Sequence, residues 1–311
     1  MRVLVVPDSA PPMADASDLD FSYSLIDRIF RASLGEQADF SGARFLGDFS
    51  LTLEEAQARK HEFIAEEVGV GPGRRLLDLG CGWGPLLADA RRRGARGVGV
   101  TLSAGQLEAC LRHGLDVHLR DALTVDRSTF GGFDAVASLG AMEHFCSPED
   151  FHAGRQEEVY RRLFAGAASV LPSGGRFYLQ TMVFGRNMID HRRVSIDAPR
   201  DSDEWYLALM EAQFPGSWLP ASLDQVLETA SGHFDVVSET SGRLDYIETI
   251  ARWRAKFAEP SLRKTLIKAS LVPKYLTSPA FRLAFTSGVS ANTVCFEREL
   301  LDHHRIVLQK R

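Results

Sequence analysis

Between residues 75 and 183 the chain alternates short apolar runs with stretches of helical spacing. "RLLDLG" (75–80), "GVGVTLS" (97–103), "DVHLRDA" (116–122), "FDAVASLG" (133–140) and "RFYLQTMV" (176–183) read as strands. "GWGPLLADARRRG", "AGQLEACLRHG" and residues 154–171 read as helices between them. Strands separated by helices of this length cannot be hairpins; they imply parallel βαβ units. The expected fold is α/β, a mostly parallel, doubly wound sheet with its ligand crevice at the carboxyl ends of the strands.

The flanks follow other rules. Residues 51–68 form a predicted helix, with Thr52 as cap, Glu54 and Glu55 at the positive end of its dipole, and "GVGPG" (69–73) as its stop. Residues 8–18, rich in Ala, Asp, Ser and Pro, read as a mobile lead-in. After Val183 the alternation breaks, and residues 184–232 with "EWYLALMEAQFPGSWLP" read as a cap inserted over the crevice. A strand at 233–240, a helix through "YIETIARWRAKF", a helix over roughly 279–303 and a strand "RIVLQK" complete the expectation. The division is therefore an N-terminal segment, 1–68, and a main domain, 69–311.

Composition excludes several classes. The formal net charge of −5 gives no nucleic-acid-binding surface, and no apolar run could span a bilayer. The start, "MRVLVVPDSAPP", is too weakly apolar for a secretory signal, and the four Cys show no metal-ligand spacing. Free thiols in a reducing cytoplasm are expected, with no metal.

The loop "LDLGCGWG" carries Gly80, Gly82 and Gly84 between a strand and a helix. Glycines there let backbone approach a ligand, but the pattern serves several nucleotide folds. Asp78 lies two residues before Gly80, where S-adenosylmethionine (SAM) enzymes place an acid. The third glycine falls one position early for the dinucleotide fingerprint, and the second strand ends in Thr101-Leu102-Ser103, with no ribose-binding acid. Gln106 could bind ribose hydroxyls instead, and Asp121 and Ala122 stand where an adenine would lie. A dinucleotide site and a turn used only for packing remain the alternatives.

Taken together, "LTLEEAQARK", "LLDLGCGWG", "GVTLSAGQ", "SLGAMEHF", "FPGSWLP" and "FERELLDHHRIVLQK" resemble, in order, the cyclopropane fatty acid synthase and mycolic acid methyltransferase family, over roughly residues 23–310. The resemblance implies a Rossmann-like SAM methyltransferase fold with an α-helical cap. It also implies an alkene of an apolar, acyl-lipid acceptor that takes the methyl and closes to cyclopropane or leaves a branch. Phe40 and Ser41 match a Tyr-Ser pair that closes over SAM; Gly80, Gly82, Thr101, Leu102 and Gln106 match its other contacts. Among the residues that hold a bicarbonate base, Glu143 and Tyr246 match. The family's His is replaced by Gln180 and its Cys by Gly42, which puts the bicarbonate in question.

Alkene methylation needs alignment, a dry pocket and negative or aromatic groups near the developing cation. Glu143 is the expected catalytic group, with Tyr246 and Gln180 beside it; His144 is expected to be structural. Trp205, Tyr206, Met210, Phe214 and Trp218 suit an apolar tunnel or a plain core. Arg263, Lys264, Lys268 and Lys274 could meet a membrane surface or an acidic carrier protein, or simply face solvent; His303 and His304 are read as surface. An N- or O-methyltransferase, a SAM-binding partner without activity and an oxidoreductase are the competing functions.

Overall fold

The structure, a computed structural model, describes residues 31–35, 37–214, 216–277, 282 and 291–311. The elements are α1 (Leu53–Val68), β1 (Arg75–Leu79), α2 (Pro85–Arg92), β2 (Arg96–Thr101), α3 (Ala104–Arg112), β3 (Asp116–Leu119) and β4 (Ala135–Leu139). There follow α4 (Gln156–Val170), β5 (Arg176–Phe184), α5 (Asp203–Gln213), α6 (Leu223–Ala230), β6 (Phe234–Ser241), α7 (Arg243–Ala258), α8 (Leu262–Thr277) and β7 (Leu301–Lys310). They build one seven-stranded sheet in the order β3-β2-β1-β4-β5-β7-β6. The first five strands are parallel, and β7 runs antiparallel between β5 and β6.

Alternation along each strand divides the core between two faces. Leu76, Ala135 and Tyr178 pack with Val307 against Ile64 and Val68 of α1 and Leu86 and Ala90 of α2. Their neighbours Leu77, Val136 and Phe177 point the other way, against Val159, Leu163 and Ala167 of α4. Burial of each such side chain contributes about 1.5–3 kcal/mol. Helix α1 starts with a complete capping box between Thr52 and Glu55 and stops at Gly69, whose φ of 71° terminates the helix in a left-handed turn.

A third apolar cluster covers the carboxyl ends of the strands. It joins Phe45 and Leu53 to Leu207 and Met210 of α5, Tyr246, Ile250 and Trp253 of α7, and Cys295, Phe296 and Leu300. Trp205, Tyr206 and Phe214 lie on its edge, whereas Trp218 joins the core beneath the sheet, stacked on Phe151 at 4.1 Å. Helix α6 goes with Trp218, through Val226 and Ala230. The segment after β5 is thus divided between the cover and the sheet core.

Several expectations change. The third strand stops at Leu119, because Asp121 accepts a hydrogen bond from the Leu123 amide and starts a 3₁₀ turn at Ala122–Thr124. The expected helix over 279–303 and strand from Arg305 are corrected: residues 291–297 are helical, but β7 begins at Leu301, paired with Phe184. Most of 279–290, the expected lead-in at 8–18, and Pro215 lie outside the described residues. All four Cys are buried free thiols. Among the described residues no helix is long and apolar enough to cross a membrane, and no group of side chains suits a metal ion.

Candidate active site

Strand β4 ends at Leu139, and the 3₁₀ turn Met142–His144 then separates the two polar residues that follow. Glu143 turns inward and is 2% exposed; His144 turns outward, where a ring nitrogen shares a hydrogen bond with Ser217 Oγ at 2.7 Å. Glu143 Oε1 accepts from the Met182 backbone N–H at 2.7 Å. Its Oε2 is buried without a partner. Burial pushes this carboxyl up to about 7, although the Met182 amide works in the other direction.

Gln180, fully buried on β5, is engaged at both ends. Its Nε2 donates to the Gly42 carbonyl and its Oε1 accepts from the Tyr178 hydroxyl, each at 3.0 Å. Gly42 is a residue for which there is no room to be larger: a Cβ there would lie 2.7 Å from the Tyr246 ring and 3.0 Å from the His303 ring. Tyr246, in the first turn of α7, stacks on His303 with centroids 4.7 Å apart and planes at 15°. Burial and the nearby Glu143 charge push its phenol upward.

His303 and His304 are not surface residues. His303 is 2% exposed, opposite Met182 in the β5–β7 ladder, and its Nδ1 has no partner. Burial, with Arg305, His304 and Lys60 nearby, holds its imidazole well below the usual range, so it is neutral. His304, also buried, pairs with Glu239 at 2.6 Å. Arg305, on the same face of β7 as His303, is buried against Asp245 at 2.9 Å and donates to the Ala43 carbonyl.

The segment 39–43 crosses this group and is fixed from α1. Lys60 Nζ, fully buried, reaches both Asp39 oxygens at 2.8 Å, Ser41 Oγ at 2.6 Å and Gln57 Oε1 at 2.5 Å. Gln57 in turn donates to the Ser41 carbonyl at 2.9 Å. Burial alone would raise the Asp39 carboxyl, but Lys60 and His61 overcome it and hold the group well below the usual carboxylate range. Phe40, next to this lock, stacks on Trp253 of α7 at 4.2 Å. Lys60, Asp39, Trp253, His303 and Arg305 escaped the sequence reading. The one available signal was a Lys-His pair on the apolar side of an otherwise amphipathic helix.

The glycine loop lies at the carboxyl end of β1. Asp78 is buried on that strand, its Oδ1 unpartnered, and burial with Asp39 nearby pushes it up to about 7 despite Lys60. Gly80 and Gly82 follow; at Gly82 φ is +55° and a Cβ would meet nothing within 4 Å, so this loop leaves open ground. Thr101 Oγ1 donates to Gln106 Oε1 at 2.7 Å, leaving the Gln106 amide group for a ligand. Leu102 is exposed beside them; Asp121 turns its carboxylate onto its own turn, and Ala122 is buried next to it. Trp83 Nε1 is a further buried donor without a partner. An orphaned acid, an orphaned indole N–H and an open backbone at Gly82, between the packed Gly80 and Gly84, fit a nucleoside-bearing ligand such as SAM.

A sheet of this order, with a glycine loop after β1 and an acid two residues before it, defines a SAM-dependent methyltransferase. The chain belongs to the mycolic acid cyclopropane synthetase family, whose sequence model matches residues 12–277. Cyclopropane mycolic acid synthase 3 of Mycobacterium tuberculosis is 30% identical over 276 residues, 85% of this chain and 92% of that one. Cyclopropane mycolic acid synthase 1 of the same species is 28% identical over 292 residues, 90% and 96% of the two chains. The structure of mycolic acid cyclopropane synthase CmaA1 with SAH and CTAB superposes at a TM-score of 0.72 and 26% identity, covering 94% and 98%. The expected fold, cofactor and enzyme class are therefore correct.

Proposed function

We propose that this enzyme methylates an alkene carbon of an acyl lipid. The observation that carries the reading is Glu143: a buried carboxyl with one unpartnered oxygen, hydrogen-bonded to the backbone of Met182, whose side chain packs on the cluster that holds Phe40, Tyr246 and Trp253. SAM supplies an electrophilic methyl group. The protein's part is to hold the acceptor in line, exclude water and stabilise positive charge as it develops on the acceptor. Glu143 in its ionised form offers a negative charge in a dry environment, and the Tyr246 and Phe40 rings offer π-faces. The similarity to cyclopropane mycolic acid synthases supports an alkene acceptor.

The residues present do not fit a bicarbonate. Gln180, which stands at the expected histidine position, gives its amide to Gly42, and the Tyr246–His303 stack fills the space beside that glycine. Phe40, Ser41, Asp78, Gly80, Gly82, Thr101, Leu102, Gln106, Asp121 and Ala122 are proposed as the cofactor shell, and Glu143, Tyr246 and Gln180 as the reaction end.

The test is incubation with labelled SAM and lipid extracts, in parallel with amines and phenols, followed by NMR of the product. Cyclopropane or methyl-branch signals on an acyl chain are expected. Label found only on nitrogen or oxygen would sink the reading. Glu143→Gln should reduce turnover at least a hundredfold with SAM affinity unchanged within twofold.

A further inference from the structure

Helix α8 carries an apolar face on the outside of the protein. Leu262, Leu266, Val272 and Leu276 are 78%, 64%, 50% and 66% exposed. At 3.6 residues per turn they fall within about 120° of arc, together with Ala269 and Pro273. The helix already buries its other side: Ile267 and Leu271 pack on Ala32, and Lys264 turns inward to donate to the Lys256 carbonyl. The exposed stripe is thus a second apolar face, and not the core face of a loosely packed helix. Apolar side chains scattered singly over a surface need no explanation, but four aliphatic ones aligned on one helix do.

The flanks identify what covers it. The sequence LRKTLIKASLVPKYLT contains no Asp or Glu, while it has four Lys and Arg. Arg263 and Lys268 are exposed, one on each side of the stripe. The chain as a whole carries −5, so this helix reverses the prevailing sign. An aliphatic stripe whose only charged neighbours on the helix are cations, with Thr265, Ser270 and Thr277 as its uncharged polar members, fits a surface with hydrocarbon below and negative charge above. A second copy of this helix would bring cation against cation, and an acidic protein would leave the leucines in water.

We propose that α8 is the face by which this enzyme docks on an anionic lipid bilayer, with Leu262, Leu266, Val272 and Leu276 inserted among the acyl chains. The inference rests on the acyl-lipid reading only for its purpose: a lipid acceptor is reached where lipids are. Binding itself is measured without turnover.

The full chain is sedimented with vesicles of mixed phosphatidylglycerol and phosphatidylcholine, and with phosphatidylcholine alone. Binding to the mixed vesicles that weakens with added salt and with loss of the anionic lipid is expected. Leu266→Ser with Leu276→Ser should weaken it about tenfold or more, and Lys268→Glu severalfold. Each variant should keep wild-type SAM affinity, which excludes misfolding as the cause. The proposal is overturned if the wild type stays in the supernatant, or if the paired serine variant sediments like the wild type. It is equally overturned if light scattering shows a wild-type dimer that the serine variant loses, or if an acidic carrier protein binds this helix and vesicles do not. Vesicle binding in an enzyme that methylates only amines or phenols would leave docking standing and remove the acceptor reading alone.

Discussion

The imidazole of His303 lies face to face with the phenol ring of Tyr246, and both press on the Cα of Gly42. Three residues far apart in the chain share one small volume. Adding a single methyl at position 42 forces one of two buried rings to move. Gly42→Ala is expected to cost about 1–3 kcal/mol, the usual penalty for overpacking. Combining it with His303→Val should return part of that loss, because the two changes compete for the same space. Urea unfolding of the two single variants and the double variant measures it; simple additivity would show that the contact carries no strain.

Lys60, fully buried, makes an ion pair with Asp39, whose side chain is 13% exposed. Lys60→Met leaves the Asp39 carboxylate with only His61 and Ser41 as partners and should destabilise the protein by about 2–4 kcal/mol. Adding Asp39→Asn should recover much of this. Ser41 also loses its anchor, so SAM affinity should fall at least tenfold in Lys60→Met. Calorimetric titration with SAM checks this; unchanged affinity would separate the lock from the cofactor.

Glu143 and Asp78 both titrate near 7 when folded, against usual values of 4.5 and 3.8. In that interval the folded protein holds protons that the unfolded chain has lost. Stability contributed by these groups is therefore full below about pH 4 and declines as pH rises toward 7, by about 1.4 kcal/mol per unit for each group. Glu143→Gln removes one of the two contributions. Its melting temperature, scanned from pH 5 to 8 without SAM, should fall less steeply than that of the wild type. Parallel curves would mean that Glu143 is ionised throughout.

Because Gln180 and the His303–Tyr246 stack occupy the ground of the expected anion, added bicarbonate should leave the rate of methyl transfer unchanged. Carbon dioxide-free buffer with and without bicarbonate is the comparison. A stimulation of several-fold would show that the ion finds a place after all.

Much of this site was legible in the sequence because its residues sit at strand ends. β1 and β4 are buried and mostly apolar, so Asp78 near the end of β1, the glycine loop after it and Glu143 after β4 mark the crevice. The rest was hidden for a physical reason. Lys60 and His303 are polar residues in the interior of a helix and a strand, and their burial depends on partners 21 and 57 residues away, Asp39 and Tyr246. Local pattern gives such residues to solvent. That pattern places His303 at the surface, and it hides the register of β7, whose start at Leu301 is set by pairing with Phe184 and not by its own polar first half.

Strand β7 lies between β5 and β6 but follows both in the chain. A chain emerging from the ribosome therefore makes β5 and β6 long before the strand that joins them. Until Leu301–Lys310 arrives, Gln180 has its neighbours on only one side, and the aromatic floor under Tyr246 does not exist. The grouping of Gln180, Tyr246 and His303 is thus completed only once β7 is made, and a chain released before Leu301 would carry an open seam between β5 and β6.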